Sequence, residues 1–280
     1  MVAPDARRAV VKHWRESWKF SERQACKLAR LPRNTNRYQK KPDENRALRS
    51  ELRALAEKYP RLGQGMLFMM LRNSGWKVNH KRVERLYREE KLALRRRKRR
   101  KFRLVRQEFP RATAPMQNLS LDFMSDATVG GRKLRVLTVV DEFTKLSPVL
   151  RVAHSLSGED VVRALTQFSA FYGTPKRLRM DNGPELRSRA LVSWATTYSV
   201  ALDYIQPGKP TQNAFIESFN GRLREECLDQ EIFLDLEDAK RKVENWRRFY
   251  NYERPHSALG GMPPSGFASQ AYLRLNDTGT

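Results

Sequence analysis

From residue 118 onward the hydrophobic period of the chain switches repeatedly between two and about three and a half residues, and few architectures accept that order. Residues 118–126 and 133–141 alternate as strands, separated by Gly130-Gly131, a hairpin signal. A third apolar run at 146–152 continues the antiparallel set. GEDVVRALTQFSAFYG then reads as an amphipathic helix, with Gly158 near its start and Gly173 at its end. The strand-like KRLRMD, a helix across 190–198, the short strand LDYI and a further helix follow. The resulting order predicts an α/β core.

Three acidic residues occupy informative places in this pattern. In NLSLDFMSD, Leu119, Leu121 and Phe123 share one strand face while Asp122 points to the other. Asp181 ends KRLRMD and is followed by Asn182-Gly183-Pro184, which stops the strand. Glu217 lies in NAFIESFNGRLREECL, where Phe215, Phe219, Leu223 and Leu228 recur at helical spacing. A strand centre, a strand end and a helix can converge on one site, and an ionised Asp122 among apolar neighbours is costly without a partner or a metal. Glu185, Glu225 and Glu226 are rival third acids; Glu185 follows Asp181 too closely to supply a separate wall, and the other two point elsewhere around the helix. Carboxylates alone suit Mg²⁺, a hard ion that takes oxygen ligands and keeps several waters. Two such ions can neutralise a phosphodiester and stabilise its attacking and leaving oxygens, with no His or Cys cluster required.

The segments LSLDFM, DNGPEL and NAFIESFNGRLREECL resemble the catalytic core of bacterial insertion-sequence transposases of the OrfB type, related to retroviral integrases. The 35 residues between Asp181 and Glu217 agree with that family, as does YNYERPHSALGGMPPSGF at 250–267. Leu119 stands where Trp is frequent and Leu186 where Phe is common, both apolar exchanges. The resemblance implies a ribonuclease-H-like mixed five-stranded sheet with flanking helices, preceded by an all-α helix-turn-helix region. It implies that Asp122, Asp181 and Glu217 are catalytic and bind two Mg²⁺ ions, for which Mn²⁺ can substitute, and that Arg224 contacts DNA. The implied reaction is cleavage and strand transfer of the ends of a mobile element into target DNA by in-line phosphoryl transfer. A metal-dependent nuclease without strand transfer and a catalytically silent DNA-binding regulator are the alternatives.

Charge divides the chain. Residues 1–110 carry 33 Lys and Arg against 11 Asp and Glu, whereas residues 111–280 carry 22 against 20, so nearly all of the net +24 lies at the amino end. Such asymmetry points to an anionic partner, nucleic acid before membrane, because released counterions supply affinity for phosphates and no apolar stretch approaches a bilayer span. A signal-peptide pattern is lacking, so a soluble cytoplasmic protein, associated with the nucleoid when bound, is expected. Cys26 and Cys227 are isolated and predict neither a zinc site nor a disulfide.

The expected domains are a helical segment at 1–42 that allows a helix-turn-helix, a helix-turn-helix-like domain at 43–93, a basic linker at 94–113, the integrase-like core at 114–235 and a C-terminal helix and tail at 236–280. Within the second, NSGWKVNHKRVERLYREEKL resembles the helix-turn-helix that precedes the core in these transposases, and Met66, Leu67, Met69, Met70 and Leu71 are expected to pack inward. Val243, Trp246, Phe249 and Tyr250 predict a helix packed on the core by an aromatic face, and His256 is given a structural or DNA-backbone role. Besides Arg224, the expected DNA contacts are Lys209, Gln212 and Asn213 in QPGKPTQNA and the run Arg95, Arg96, Arg97, Lys98, Arg99, Arg100, Lys101 and Arg103. The implied partners are the element's terminal inverted repeats and target DNA, further copies of the chain on DNA, and a protein or fusion from an upstream reading frame. The chain begins with Met and lacks sustained heptads, so it is expected to be the catalytic partner of such a pair. Deleting 95–103 should weaken DNA binding broadly across sequences and flatten its salt dependence, checked by fluorescence anisotropy over a salt series; an unchanged slope would remove the run from the interface.

Overall fold

The computed structural model describes residues 4–38, 44–94, 112–205 and 213–277, so Lys209, Gln212 and the basic run 95–103 lie outside the described residues. The chain forms two compact units, Met1–Leu48 and Arg49–Thr280.

In the first unit, α1 (Pro4–Ser17), α2 (Glu22–Leu28) and α3 (Arg33–Arg37) enclose Val11, Ala25, Cys26 and Leu31, with Trp14 and Phe20 packed against them. The Ser21 hydroxyl accepts from the Gln24 amide while the Gln24 side chain accepts from the Ser21 amide, a capping box. Arg30, at φ +49°, turns the chain out of α2, and Glu22 ties α2 to α3 through Arg33 and Arg37.

The second unit opens with α4 (Arg46–Lys58), α5 (Gln64–Asn73) and α6 (His80–Glu89). Leu52, Leu67, Met70, Leu71, Val83 and Leu86 are buried, and Arg49 and Arg53 of α4 pair with Glu89 and Glu90 at the end of α6. Tyr59 stacks on Phe249 with centroids 4.3 Å apart, and the Asn73 amide donates to the Gly261 carbonyl at 3.1 Å, so these helices pack against the C-terminal part of the core.

The core is a five-stranded sheet in the order β3-β2-β1-β4-β5, built from β1 (Asn118–Ala127), β2 (Lys133–Asp141), β3 (Val149–Ala153), β4 (Arg177–Met180) and β5 (Ala201–Tyr204). The first three strands are antiparallel and β4 and β5 run parallel to β1. Strand alternation sorts the residues between two faces. Leu119, Leu121, Leu137, Val139, Leu178 and Met180 pack with α7 (Gly158–Tyr172) and α8 (Arg189–Thr197). Leu134, Val136, Val140 and Val152 pack on the other face with α9 (Ala214–Leu223) and α10 (Leu236–Tyr252), around Phe219, Trp246 and Tyr250. This second cluster holds residues of β1 to β3 but none of β4 or β5, so the sheet beside α9 carries Arg177, Arg179 and Asp203 instead of an apolar layer.

α9 continues into a π-helical turn, Arg224–Leu228, and α11 (Pro264–Asp277) packs on α10. Neither α3, α11 nor the π-helical turn is predicted from the sequence pattern. The aromatic stripe of α10 is core, as expected, and His256 is enclosed edge-on against Tyr250 at 4.8 Å. Both cysteines are buried and free. Leu137 is fully buried at the sheet centre, and Leu137→Ala should cost about 2–5 kcal/mol, read as a lower urea midpoint; a loss below about 1 kcal/mol would mean that this layer is not close-packed.

Candidate active site

Asp122 lies in the middle of β1 opposite Thr138 of β2, whose hydroxyl donates to the Asp122 carbonyl at 3.1 Å. Because Leu121 and Phe123 belong to the face covered by α7 and α8, the Asp122 side chain emerges on the α9 face, half-buried. One carboxylate oxygen accepts from the Phe123 amide at 2.7 Å, and the other accepts from the Asn220 side-chain amide at 2.8 Å. Burial pushes this carboxyl up to about 6, and the negative charges of Asp181 and Glu217 push in the same direction, while the bonds from Phe123 and Asn220 oppose the rise.

Asp181 follows the last residue of β4. The pairing of β1 with β4 is parallel and ends at Ser120 opposite Arg179; extending the register by two residues brings Asp122 level with Asp181. The loop after Asp181 is held at several points. The Gly183 amide donates to Asp181 Oδ1 at 2.9 Å, and a Cβ at Gly183 would stand 3.0 Å from that oxygen, so the turn favours glycine. Asn182 donates to the Ile205 carbonyl at 2.7 Å, Tyr204 to the Leu186 carbonyl at 3.1 Å, and Glu185 pairs with Arg135 at 2.5 Å.

Glu217 is exposed in the first turn of α9, whose buried side carries Ile216, Phe219 and Leu223 into the α10 cluster. Asn220 lies three residues further along, and its bond to Asp122 ties this helix to β1. Arg224 opens the π-helical turn rather than continuing the α-helix, and its guanidinium donates to Asp126 Oδ2 and to the Ser125 carbonyl, each at 2.7 Å. The cation expected to meet DNA is thus anchored at the far end of the strand that bears Asp122. Asn213 is 4% exposed at the N-terminal end of α9, so in this conformation its side chain is not presented to a duplex.

The fold therefore brings Asp181, at the end of β4, and Glu217, on α9, each within electrostatic reach of Asp122 on β1. Among the described residues they are not drawn into a tight cluster of three ligands, which accords with mutual repulsion and with the hydrogen bonds that occupy Asp122 and Asp181. Two features fit a hydrated divalent cation there. The donors are all carboxylate oxygens, and Asn220 Oδ1 is buried without a hydrogen-bond partner next to Asp122, an acceptor that a metal-bound water can satisfy. Two of the three rival acids are committed elsewhere, Glu226 to Arg254 at 2.6 Å and Glu185 to Arg135. Asn220 was legible as a polar residue on the buried side of an amphipathic helix, one turn from Glu217, but its partner was not.

Residues 112–210 and, separately, 198–264 match families both described as integrase core domain, and residues 42–100 match an HTH-like domain. The chain is 46% identical over 258 residues to the 31.7 kDa protein of insertion element IS407 from Burkholderia multivorans, covering 91% of this chain and 93% of that one. It is 41% identical over 270 residues to the 39.2 kDa protein of insertion element IS476 from Xanthomonas euvesicatoria, covering 96% and 78%. Among solved structures it is similar, at a TM-score of 0.52 and 15% identity, to a chain of the simian T-cell lymphotropic virus intasome in complex with PP2A regulatory subunit B56 gamma, covering 78% of this chain and 74% of that chain. The last likeness is one of fold, the ribonuclease-H-like sheet with its flanking helices. Because the Asn220 amide holds the Asp122 value down, Asn220→Ala should raise it further; a carbon-13 NMR pH titration of the metal-free protein that found it unchanged would show that this bond is not made in solution.

Proposed function

This chain belongs to the insertion-sequence transposases of the OrfB type, built on an integrase core domain, and from that premise we propose that it cleaves and joins the ends of its own mobile element. Two observations support the reading: the β1–β4 register, extended by two residues, sets Asp122 level with Asp181, and the charges of Asp181 and Glu217 both act on Asp122. Asp122, Asp181 and Glu217 would hold two Mg²⁺ ions, with Mn²⁺ as a substitute. Bound there, the ions would neutralise the scissile phosphate and stabilise its attacking and leaving oxygens.

The chain's own groups orient the acids. Asn220 aims the Asp122 carboxylate, and the Asp181 loop is restrained from both sides by Asn182 and Glu185. Arg224, fixed to Asp126, offers a cation at the end of β1, where it would contact a phosphate outside the scissile one. Water, and afterwards a freed 3′-hydroxyl, would attack phosphorus in line at one site, without a covalent link to the protein. A single site of this kind needs no change of catalytic residues between cleavage and joining.

The remaining charge serves DNA binding in this reading. Residues 43–93 would act as a helix-turn-helix-like module, and the exposed side of α6 carries Lys81, Arg82, Arg85 and Arg88 for phosphates. The first unit, whose described residues 4–38 hold ten Lys and Arg against three acids, would add a second basic module. The basic run 95–103 with Lys209 and Gln212 completes the proposed contacts. The active form would be an oligomer on paired element ends, joined where the element encodes one by an upstream-frame protein or fusion.

The decisive assay incubates the protein with labelled inverted-repeat ends and Mg²⁺ or Mn²⁺, with and without the upstream protein. Asp181→Asn should abolish both cleavage and joining of pre-cut 3′ ends, a fall of at least about a thousandfold, while leaving end binding intact. An Asp181→Asn protein that still cut and joined would refute the assignment. Cleavage without joining of pre-cut ends would identify a nuclease, and tight binding with neither reaction in any arm a regulator.

A further inference from the structure

Directly beneath the acids, on the same face of the sheet, lies an ionic cluster that the reaction itself does not use. Ser120, Arg179 and Asp203 stand side by side on β1, β4 and β5, one same-face step below Asp122 and Asp181, roughly 6.6 Å along the strands. The Arg179 side chain is 4% exposed and its partner Glu142, just past the end of β2, is fully enclosed. Arg179 Nη1 donates to both Glu142 oxygens at 2.8 and 3.0 Å, and Nε and Nη2 each reach Asp203 Oδ2 at 3.4 Å. Glu142 in turn accepts from the Ser120 hydroxyl at 2.7 Å and from the Asn118 side-chain amide at 3.3 Å. One guanidinium and one carboxylate thus connect β1, the end of β2, β4 and β5.

The position of this cluster is what gives it a role. Backbone pairing between β1 and β4 has three rungs, ending at Ser120 opposite Arg179, and the two acids lie just beyond that last rung. Past it, the ladder no longer sets their separation. A buried ion pair is a poor way to gain stability, since its desolvation offsets most of its attraction and an apolar pair of similar volume often serves as well. Its distinctive property is direction: a planar guanidinium forked between two carboxylates, Nη1 on Glu142 and Nε with Nη2 on Asp203, fixes distance and angle together.

We infer that Ser120, Glu142 and Arg179 are positioning residues for the active site, clamping the end of the β1–β4 ladder so that Asp122 and Asp181 keep the separation that divalent-cation binding requires. The inference rests on the proposed function of those acids. It assigns the clamp to the cation-binding step, not to DNA binding and not to the chemical step once cations are bound.

The test uses the full chain with Arg179→Lys, which keeps the charge and removes the fork, and Ser120→Ala, which removes one bond to Glu142. Folding is verified by circular dichroism, and Mg²⁺ binding is measured by calorimetric titration without DNA. Arg179→Lys should raise the half-saturating Mg²⁺ concentration about tenfold or more, the usual effect of losing a partner outside the ligand set, and Ser120→Ala should raise it less. The Mg²⁺ dependence of strand transfer should shift in parallel, with the rate recovered in excess Mg²⁺ or in Mn²⁺. A folded Arg179→Lys protein with unchanged Mg²⁺ affinity, or one that loses the same fraction of its rate at every Mg²⁺ concentration, would overturn the clamp. Should Arg179→Lys fail to fold, Ser120→Ala decides, and an unchanged Mg²⁺ requirement there overturns it equally. Asp181→Asn distinguishes the underlying reading: if the wild-type protein binds Mg²⁺ no better than Asp181→Asn, the metal assignment of the acids fails, whatever the clamp does.

Discussion

Parallel pairing of β1 with β4 is the constraint on which the catalytic half of this molecule depends. Three rungs join the strands, and their register decides that Asp122 and Asp181, far apart in the chain, end level with each other on one face. A shift by one residue would turn either acid to the opposite face, into the layer formed by α7 and α8. The apolar set Leu119, Leu121, Leu178 and Met180 opposes such a slip, because it buries fully only in the observed register.

Incomplete coverage of the other face leaves room for a site. α9 and α10 pack over β1 to β3 through Phe219, Trp246 and Tyr250, and the apolar layer they form does not extend over β4 and β5. Charged residues occupy the remainder, and the helix at its border carries Glu217 and bonds Asn220 to Asp122. The same arrangement makes Asp122 electrostatically unusual: it is half-buried, near two further acids, and held by one amide from its own strand and one from α9. A cation relieves that concentration of negative charge, whereas an added apolar side chain would not.

Much of this architecture was legible from residue order. Alternation in NLSLDFMSD assigned Asp122 to the face away from Leu121 and Phe123, and Asn182-Gly183-Pro184 marked the end of β4. The strong periods of α7, α8 and α10 placed them within a few residues. The short α3 was missed because five residues carry too little period to read, and the π-helical turn at Arg224 because one extra residue per turn leaves no mark in an apolar pattern.

By itself the sequence determined which acids are available, which elements bear them, and that the positive charge is gathered in the amino-terminal third. These are local properties, readable from period, composition and spacing. Only the tertiary structure decided who meets whom: Asn220 with Asp122, Arg224 with Asp126, and Arg179 with Glu142 across the sheet. Such pairings depend on strand order and register, which are set by the simultaneous burial of distant apolar faces, and no neighbour in the chain reports them.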